Sequence, residues 1–467
     1  MSEQPGSQHD DVAQRLRRLQ QLGVKRGRAG IKPPPAVPQR EPAIMPPPGL
    51  TLLDLVGGRI VETAFGPCHV VETRFPLDEA RGGWPLGAAL AIDGAAVAAC
   101  SRNEEMAAFD FRRAAFIDTE TSGLSGGAGT FAFMVGIGTF EESGGAGERE
   151  SGREKGEEGK EGNEGKGTEY VVRQVFMENP GQERALLRAV AEVLARCTGL
   201  VSFNGRAFDA PLLENRYLLN REPSPLQGLL HFDLLPAARQ RWRLRLPSRS
   251  LGSLEHDILG FERSEEDVPG WLIPSIYQQY ARGGDAVTPQ VLGDVARVFY
   301  HNLHDIVNMA PLAAILCAPF QAGGLLPDDL HPVDLVCIAR CFEELAWHEQ
   351  GETTYRLALG RTLPPDVRAE ALRRLGWMLK RQERRAEAAD LWQDWITSVP
   401  GHDITPYVEL AKHHEWHDSD LSAARKWTLW AVHVASQMPA GPDREIAQAD
   451  LQHRLERIER KLAGDTS

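Results

Sequence analysis

Read for the spacing of apolar and polar positions, the chain changes character several times. Residues 12–22 have the spacing of a short amphipathic helix, and 23–49 are crowded with prolines that favour a stiff extended linker. From 50 to 112, brief apolar runs alternate with Gly and Pro, predicting a small β-rich lead-in. From 113 to 325, strand-like and helix-like patterns alternate as in an α/β domain. Strands are predicted at 114–118, 131–140, 170–177 and 200–203, and helices at 182–197 and 209–219. Beyond 330 the period is helical throughout.

Inside the α/β block, residues 141–168 break the pattern. They hold nine Gly, nine Glu and five Lys or Arg, with no apolar side chain larger than Ala, so the segment buries too little to offset the entropy of ordering and reads as a disordered hairpin extension. In the helical tail, Leu375, Gly376, Leu379, Ala388, Trp392 and Pro400 have the spacing of the tetratricopeptide pattern, and Leu410, Ala411, His414, Ala423 and Trp427 restate it 35 residues later. A plain helical bundle with tryptophan packing would look similar. The uncharged stretch 308–327 is long enough for a membrane span, but its Asn, Gln, Pro and Gly pair predict a buried helix and a loop, with no membrane association.

Composition adds bounds. At 467 residues the chain has room for about three units. Its net charge of −13 excludes a wholly electrostatic nucleic-acid binder, though not a local basic groove. Six cysteines form neither a disulfide framework nor a C-x-x-C pair, which predicts a reducing, cytoplasmic setting; Cys337 and Cys341, four apart, predict core packing. No secretory signal pattern opens the sequence.

Chemistry concentrates in three segments. In FIDTETSGL, an apolar strand ends in Asp118 and Glu120, which leave the same face and need a cation or strong partner to remain ionised. In LVSFNGRAFDAPLLENR, Asn204 and Gly205 predict a turn and Asp209 opens a helix, where the dipole favours an anion and where a simple cap is the alternative. In FYHNLHDIVNM, His301 and Asp305 share a helical face.

Together these segments resemble the DEDD superfamily of 3'-to-5' exonucleases within the ribonuclease H-like fold. More closely, DTETSGLSGGAGTFAFMVGIG, residues 250–280 and the helical tail resemble bacterial YprB-like ribonuclease H-like proteins. The resemblance implies a mixed sheet with flanking helices over 113–325, followed by an all-α tail of tetratricopeptide-like repeats over 330–467. It implies phosphodiester hydrolysis in DNA or RNA, with Asp118, Glu120, Asp209 and Asp305 as ligands of two Mg²⁺ or Mn²⁺ ions about 3.5–4 Å apart. The superfamily also uses a His or Tyr shortly before the last Asp to take a proton from the attacking water. Here Tyr300 stands five residues and His301 four residues before Asp305, the reverse of the usual order. His301, on the Asp305 face and with a pKa nearer neutrality, is the expected base; Tyr300 is next, and His304 points elsewhere.

Substrate contacts are expected at Asn204 and Phe208, and at Arg241, Trp242 and Arg243 within RQRWRLRLPSR. That run, which also includes Arg239, Arg245 and Arg249, could grip phosphates with an aromatic stacked on a base, or could be a solvated face of an extended segment. Gly126, Gly127 and Gly129 could admit a substrate strand or merely connect two strands. Asp233 and Glu255 match acidic positions of the resemblance without a derivable role. The expected function is a 3'-to-5' exonuclease acting on a single-stranded end, with a protein partner on the repeats. Endonuclease action, or a catalytically weak nucleic-acid-binding scaffold, are the alternatives.

Overall fold

The structure, a computed structural model, describes residues 47, 49–123, 129–142, 167–284, 287–323, 326 and 329–464. The expected helix at 12–22, the proline linker up to 46, Gly126, Gly127 and residues 143–166 of the insertion lie outside the described residues. By contacts the chain divides at Leu50/Thr51, and all elements below belong to the unit Thr51–Ser467.

Nine strands occur among the described residues: β1 (Arg59–Thr63), β2 (Gly66–Pro76), β3 (Ala80–Arg81), β4 (Trp84–Pro85), β5 (Ala114–Thr121), β6 (Ala132–Glu142), β7 (Thr168–Phe176), β8 (Gly199–Ser202) and β9 (Leu230–Asp233). Seven form one mixed sheet in the order β1-β2-β7-β6-β5-β8-β9. β5, β6 and β7 run as an antiparallel meander, while β8 and β9 add in parallel beyond β5. Parallel neighbours need crossovers, supplied by α3 (Glu183–Leu194) before β8 and α4 (Asp209–Leu219) between β8 and β9, once α1 (Leu52–Val56) and α2 (Gly94–Ser101) have preceded them. This is the ribonuclease H-like arrangement expected from the sequence.

The lead-in at 50–112 is not a separate β unit. β2 pairs with β7 over His69–Pro76, and β1 pairs with β2, so both extend the central sheet at an edge that would otherwise expose unpaired backbone groups. Short runs broken by Gly and Pro look local in sequence, whereas the partner of β2 lies about a hundred residues downstream.

Further helices are α5 (Leu234–Trp242), α6 (Leu251–Asp257), α7 (Ile273–Gly283) and the long α8 (Pro289–Cys317). α8 is long and apolar enough to span a membrane, but 78% of its most apolar window is buried inside the protein. It crosses the sheet closely because β6 offers MVGIG: a Cβ on Gly136 would stand 2.3 Å from Asn302 Oδ1, and one on Gly138 would collide with Tyr170 and press on Ile306. On this face Phe116 packs against Phe111, Tyr170 and Phe140. Each fully buried side chain of this size contributes about 1.5–3 kcal/mol. On the other face Ala115, Ile117 and Leu200 pack with Leu186, Leu187 and Leu213 from α3 and α4.

The tail is all-helical: α9 (Pro332–Glu344), α10 (His348–Leu359), α11 (Pro365–Arg381), α12 (Arg385–Ser398), α13 (Thr405–Trp416), α14 (Leu421–Ser436) and α15 (Pro442–Gly464). A Cβ on Gly376 would come within 2.4 Å of the Trp392 ring, so the small–large pairing brings α11 onto α12. The same apolar cluster that holds Phe116 and Ile306 continues through Leu335, Phe342 and Tyr355 to Leu379 and Ala388, so the first tail helices share the core of the sheet domain.

Candidate metal centre

Asp118 and Glu120 stand at the end of β5, where the β5–β6 register shifts between Glu120 and Thr121. Asp118 lies opposite Gly136, the open position over which Asn302 of α8 sits. Gln174 of β7 donates to Asn302 Oδ1 at 3.1 Å and to the Phe299 carbonyl at 2.8 Å. That fixes the Asn302 amide so that its Nδ2 donates to Asp118 Oδ2 at 3.1 Å. Gln174 and Asn302 are buried, so a chain of neutral donors runs from the sheet to the partly buried Asp118.

Asp209 is the first residue of α4 and accepts from the Thr119 hydroxyl. The turn before it is set by Asp233, whose carboxylate accepts from the backbone N–H groups of Asn204 (2.7 Å), Arg206 (3.2 Å) and Leu235 (3.1 Å). Asn204 adopts φ 69°, a left-handed conformation that Asn tolerates better than most residues. Asp233 thereby gains a role the sequence did not reveal: it holds the 204–206 turn and caps α5. Phe208, adjoining Asp209, is 61% exposed.

On α8, Asp305 and His301 face the β5 carboxylates. Glu120, His301 and Asp305 bring one ligand atom each within 4.8 Å of one another. His301 Nδ1 lies 2.7 Å from Asp267 Oδ1 and 3.0 Å from a terminal nitrogen of Arg263, and Nε2 is 3.5 Å from Asp305 Oδ2. Tyr300 is held elsewhere: its hydroxyl accepts from the Ser264 N–H at 3.0 Å and its ring packs on His304, which in turn packs on Phe261. Burial pushes the His304 pKa down to about 4.

Arg263 and Asn302 were missed in the sequence. Arg263 pairs with Glu255 at 2.7 Å through Nε and again through a terminal nitrogen, and it also pairs with Asp305. Glu255 sits on α6, 1% exposed, and its Oε1 accepts from Asn308 Nδ2 at 3.0 Å. Arg263 and Glu255, together with His301, Asp267 and Gly270, line a cleft of about 610 Å³ leading to Asp305. The spacing signal for Arg263 is weak because its partners lie on α6 and α8.

The electrostatics follow from burial with too little counter-charge. Burial, then Asp305, Asp209 and Glu120, hold the Asp118 carboxyl well above the ordinary range despite the bond from Asn302. Burial lifts Glu120 to about 8; His301 pulls it down while Asp305 and Asp209 push it further up. Burial lifts Asp209 to about 6 against the hydrogen bond from Thr119. Burial works to lower the His301 pKa, yet Asp305, the bond to Asp267 and Glu120 outweigh it and hold it up to about 9. Hard carboxylate oxygens that gather while each resists ionisation fit a divalent cation, which would supply the missing positive charge.

The arginine-rich run lies away from this cluster, and its structure corrects the expectation of an extended, substrate-facing segment. RQRW ends helix α5. Trp242 is 1% exposed within the apolar core, and Arg241 is buried beside Asp334 of α9, which Arg245 also pairs with at 3.1 Å. The apolar residues of the run fill the sheet–tail junction, and two of its arginines answer an acidic residue there. Arg243 remains exposed.

Comparison with known proteins agrees with the fold. Residues 161–317, which contain Asp209, His301 and Asp305 but begin beyond Asp118 and Glu120, match the RNase_H superfamily. A 312-residue stretch is 29% identical to Uncharacterized protein YprB of Bacillus subtilis (strain 168), covering 66% of each chain, just under two thirds of that relative's length. No solved structure matches. The chain is thus similar to the RNase_H superfamily over the region that carries β8, α4 and α8, and to YprB over a longer one.

Proposed function

We propose that this protein is a metal-dependent nuclease, acting as a 3'-to-5' exonuclease on a single-stranded end of DNA or RNA in the reducing cytoplasm. The observation that carries the reading is the convergence of Asp118, Glu120, Asp209 and Asp305 from β5, α4 and α8, with three of the four carboxyls held above their ordinary pKa. Divalent cations such as Mg²⁺ or Mn²⁺, bound by these oxygens, would polarise a phosphodiester and stabilise charge on the attacking and leaving oxygens.

This chain's own residues supply the remainder. His301, anchored through Nδ1 on Asp267, presents Nε2 to the carboxylates and would be able to take the proton of an attacking water once a bound cation lowers its pKa from about 9. The tie of the Tyr300 hydroxyl to Ser264 supports His301 over Tyr300 for that step. Exposed Phe208, beside Asp209, offers a ring on which a terminal base can stack, and Asn204 sits in the turn before it. The helical tail offers a surface for a protein partner. The pairing of Asp305 with Arg263 favours the second reading, a nucleic-acid-binding scaffold with little turnover.

The test is incubation with Mg²⁺ or Mn²⁺ and 5'-labelled single- and double-stranded DNA and RNA, beside Asp118→Asn. A stepwise ladder that disappears in the variant supports the exonuclease. Internal cuts in a circular substrate would move the reading to an endonuclease, and binding without cleavage under every condition would leave the scaffold.

A further inference from the structure

We infer that Arg263, paired with Asp305, is a built-in counter-charge standing in place of a second metal ion, so that the carboxylate cluster takes one divalent cation rather than two. The inference rests on the metal-dependent reading above and departs from the two-ion arrangement that the sequence resemblance implies.

The four carboxylates differ in what they already hold. Asp118 and Asp209 accept hydrogen bonds from neutral groups, the Asn302 amide and the Thr119 hydroxyl. Neutral donors orient a carboxylate without cancelling its charge, so a cation is still needed. Asp305 differs: one oxygen pairs with the Arg263 guanidinium and the other faces His301 Nε2 at 3.5 Å. Its negative charge is already answered by a side chain.

Arg263 is not a loose surface group borrowing the nearest acid. Nε and one terminal nitrogen both reach Glu255 at 2.7 Å, and the other terminal nitrogen lies 3.0 Å from His301 Nδ1 and 3.4 Å from Asp267 Oδ1. Glu255 is 1% exposed. If an incoming ion drove the guanidinium away from Asp305, either Arg263 would stay on Glu255 and confront the ion at short range, or Glu255 would be left charged in a buried position, which is strongly unfavourable. A planar guanidinium fixed by a paired contact to one carboxylate can hold a second through the remaining N–H of the shared terminal nitrogen, as Arg263 holds Asp305, without reorganising. Two ions about 3.5–4 Å apart would instead add four positive charges beside a guanidinium with no room to leave.

Counting bound Mn²⁺ on the full chain, by the free-ion electron paramagnetic resonance signal, tests the inference without reference to activity. The expectation is one ion per chain, lost in Asp118→Asn. Because Arg263→Met alone strands Glu255 and could fail to fold, the informative variant is Arg263→Met with Glu255→Gln, in which the amide can still meet Asn308. That double variant is expected to bind two ions, a twofold rise in stoichiometry. Two ions on the unaltered chain, or one on the folded double variant, would overturn the inference while leaving the metal-dependent reading in place. No ion on the unaltered chain would remove both.

Discussion

Glu120 and Glu415 are the same residue type at nearly the same depth, 8% and 6% exposed, yet they are held in opposite states. Glu415, on α13 of the tail, is gripped by Arg454 at 3.2 Å, Arg457 at 2.7 Å and Lys461 at 2.9 Å, all from α15. Burial alone would raise its pKa, but the bonds from Arg457 and Lys461 outweigh that and draw it down to about 2. Glu120, with His301 as its nearest basic neighbour and two further carboxylates around it, is pushed up to about 8. Depth therefore does not decide the behaviour of a buried carboxylate; the charge supplied around it does. Glu415 is a finished contact between two helices, whereas Glu120 belongs to a cluster that the chain's own basic groups leave short of positive charge.

The largest expected effect separates the two places by chemistry. Asp118→Asn should cut cleavage by about 10³-fold or more, since it removes an oxygen ligand on which transition-state stabilisation depends. Glu415→Gln should leave the rate per folded molecule unchanged. A tail variant that lost activity while remaining folded would break the distinction between a structural and a chemical carboxylate. His301→Ala comes next, with a loss of about 10²-fold in kcat expected of a general base. Tyr300→Phe should stay close to the unaltered rate, because its hydroxyl serves Ser264.

Stability should rank the pair in reverse. Glu415→Gln leaves three cations crowded at one helix contact and should cost about 2–3 kcal/mol, below the figure for a fully buried network because Lys461 is 46% exposed. Without metal, Glu120→Gln should instead stabilise the fold, on the order of 1–2 kcal/mol, by removing an uncompensated buried acid. Urea denaturation of the two variants in chelator checks both signs, and destabilisation by Glu120→Gln would mean that the cluster is already balanced.

How legible these features were in the sequence depends on how local they are. The order of strands and helices from 114 to 219 follows from periodicity, and Asp118 and Glu120 are legible because an apolar strand seldom ends in two acids on one face. Pairing across a hundred residues is not written in local pattern, so the attachment of β2 to β7 was invisible. The same holds for Arg263, whose meaning comes from Glu255, Asp305 and Asp267 on three different segments. The arginine-rich run misled for a related reason: alternating Arg with Trp and Leu suits an extended face, but a helix buries Arg241 and Trp242 once α9 brings Asp334 to them.

A further effect is a slope with pH. Glu120 has a folded pKa of about 8 against an ordinary 4.5, so the metal-free folded state binds an extra proton between those values and its stability falls as pH rises through them. His301, raised from 6.5 to about 9, has the same sign: its contribution is complete below 6.5 and is lost as pH climbs through 9. Glu415, lowered to about 2, acts oppositely and lower down, its contribution present above 4.5 and lost as pH falls toward 2. In chelator, the melting temperature should therefore decline from pH 5 to 9. A saturating divalent cation should flatten that decline, because it favours the ionised carboxylates and opposes the field that holds the His301 proton. The His301 pKa, followed by nuclear magnetic resonance, should accordingly drop from about 9 when Mg²⁺ is added. A melting temperature that rises across this interval in chelator would mean that Glu120 is compensated as fully as Glu415, and that the carboxylates of β5 and α8 hold the fold together rather than a metal.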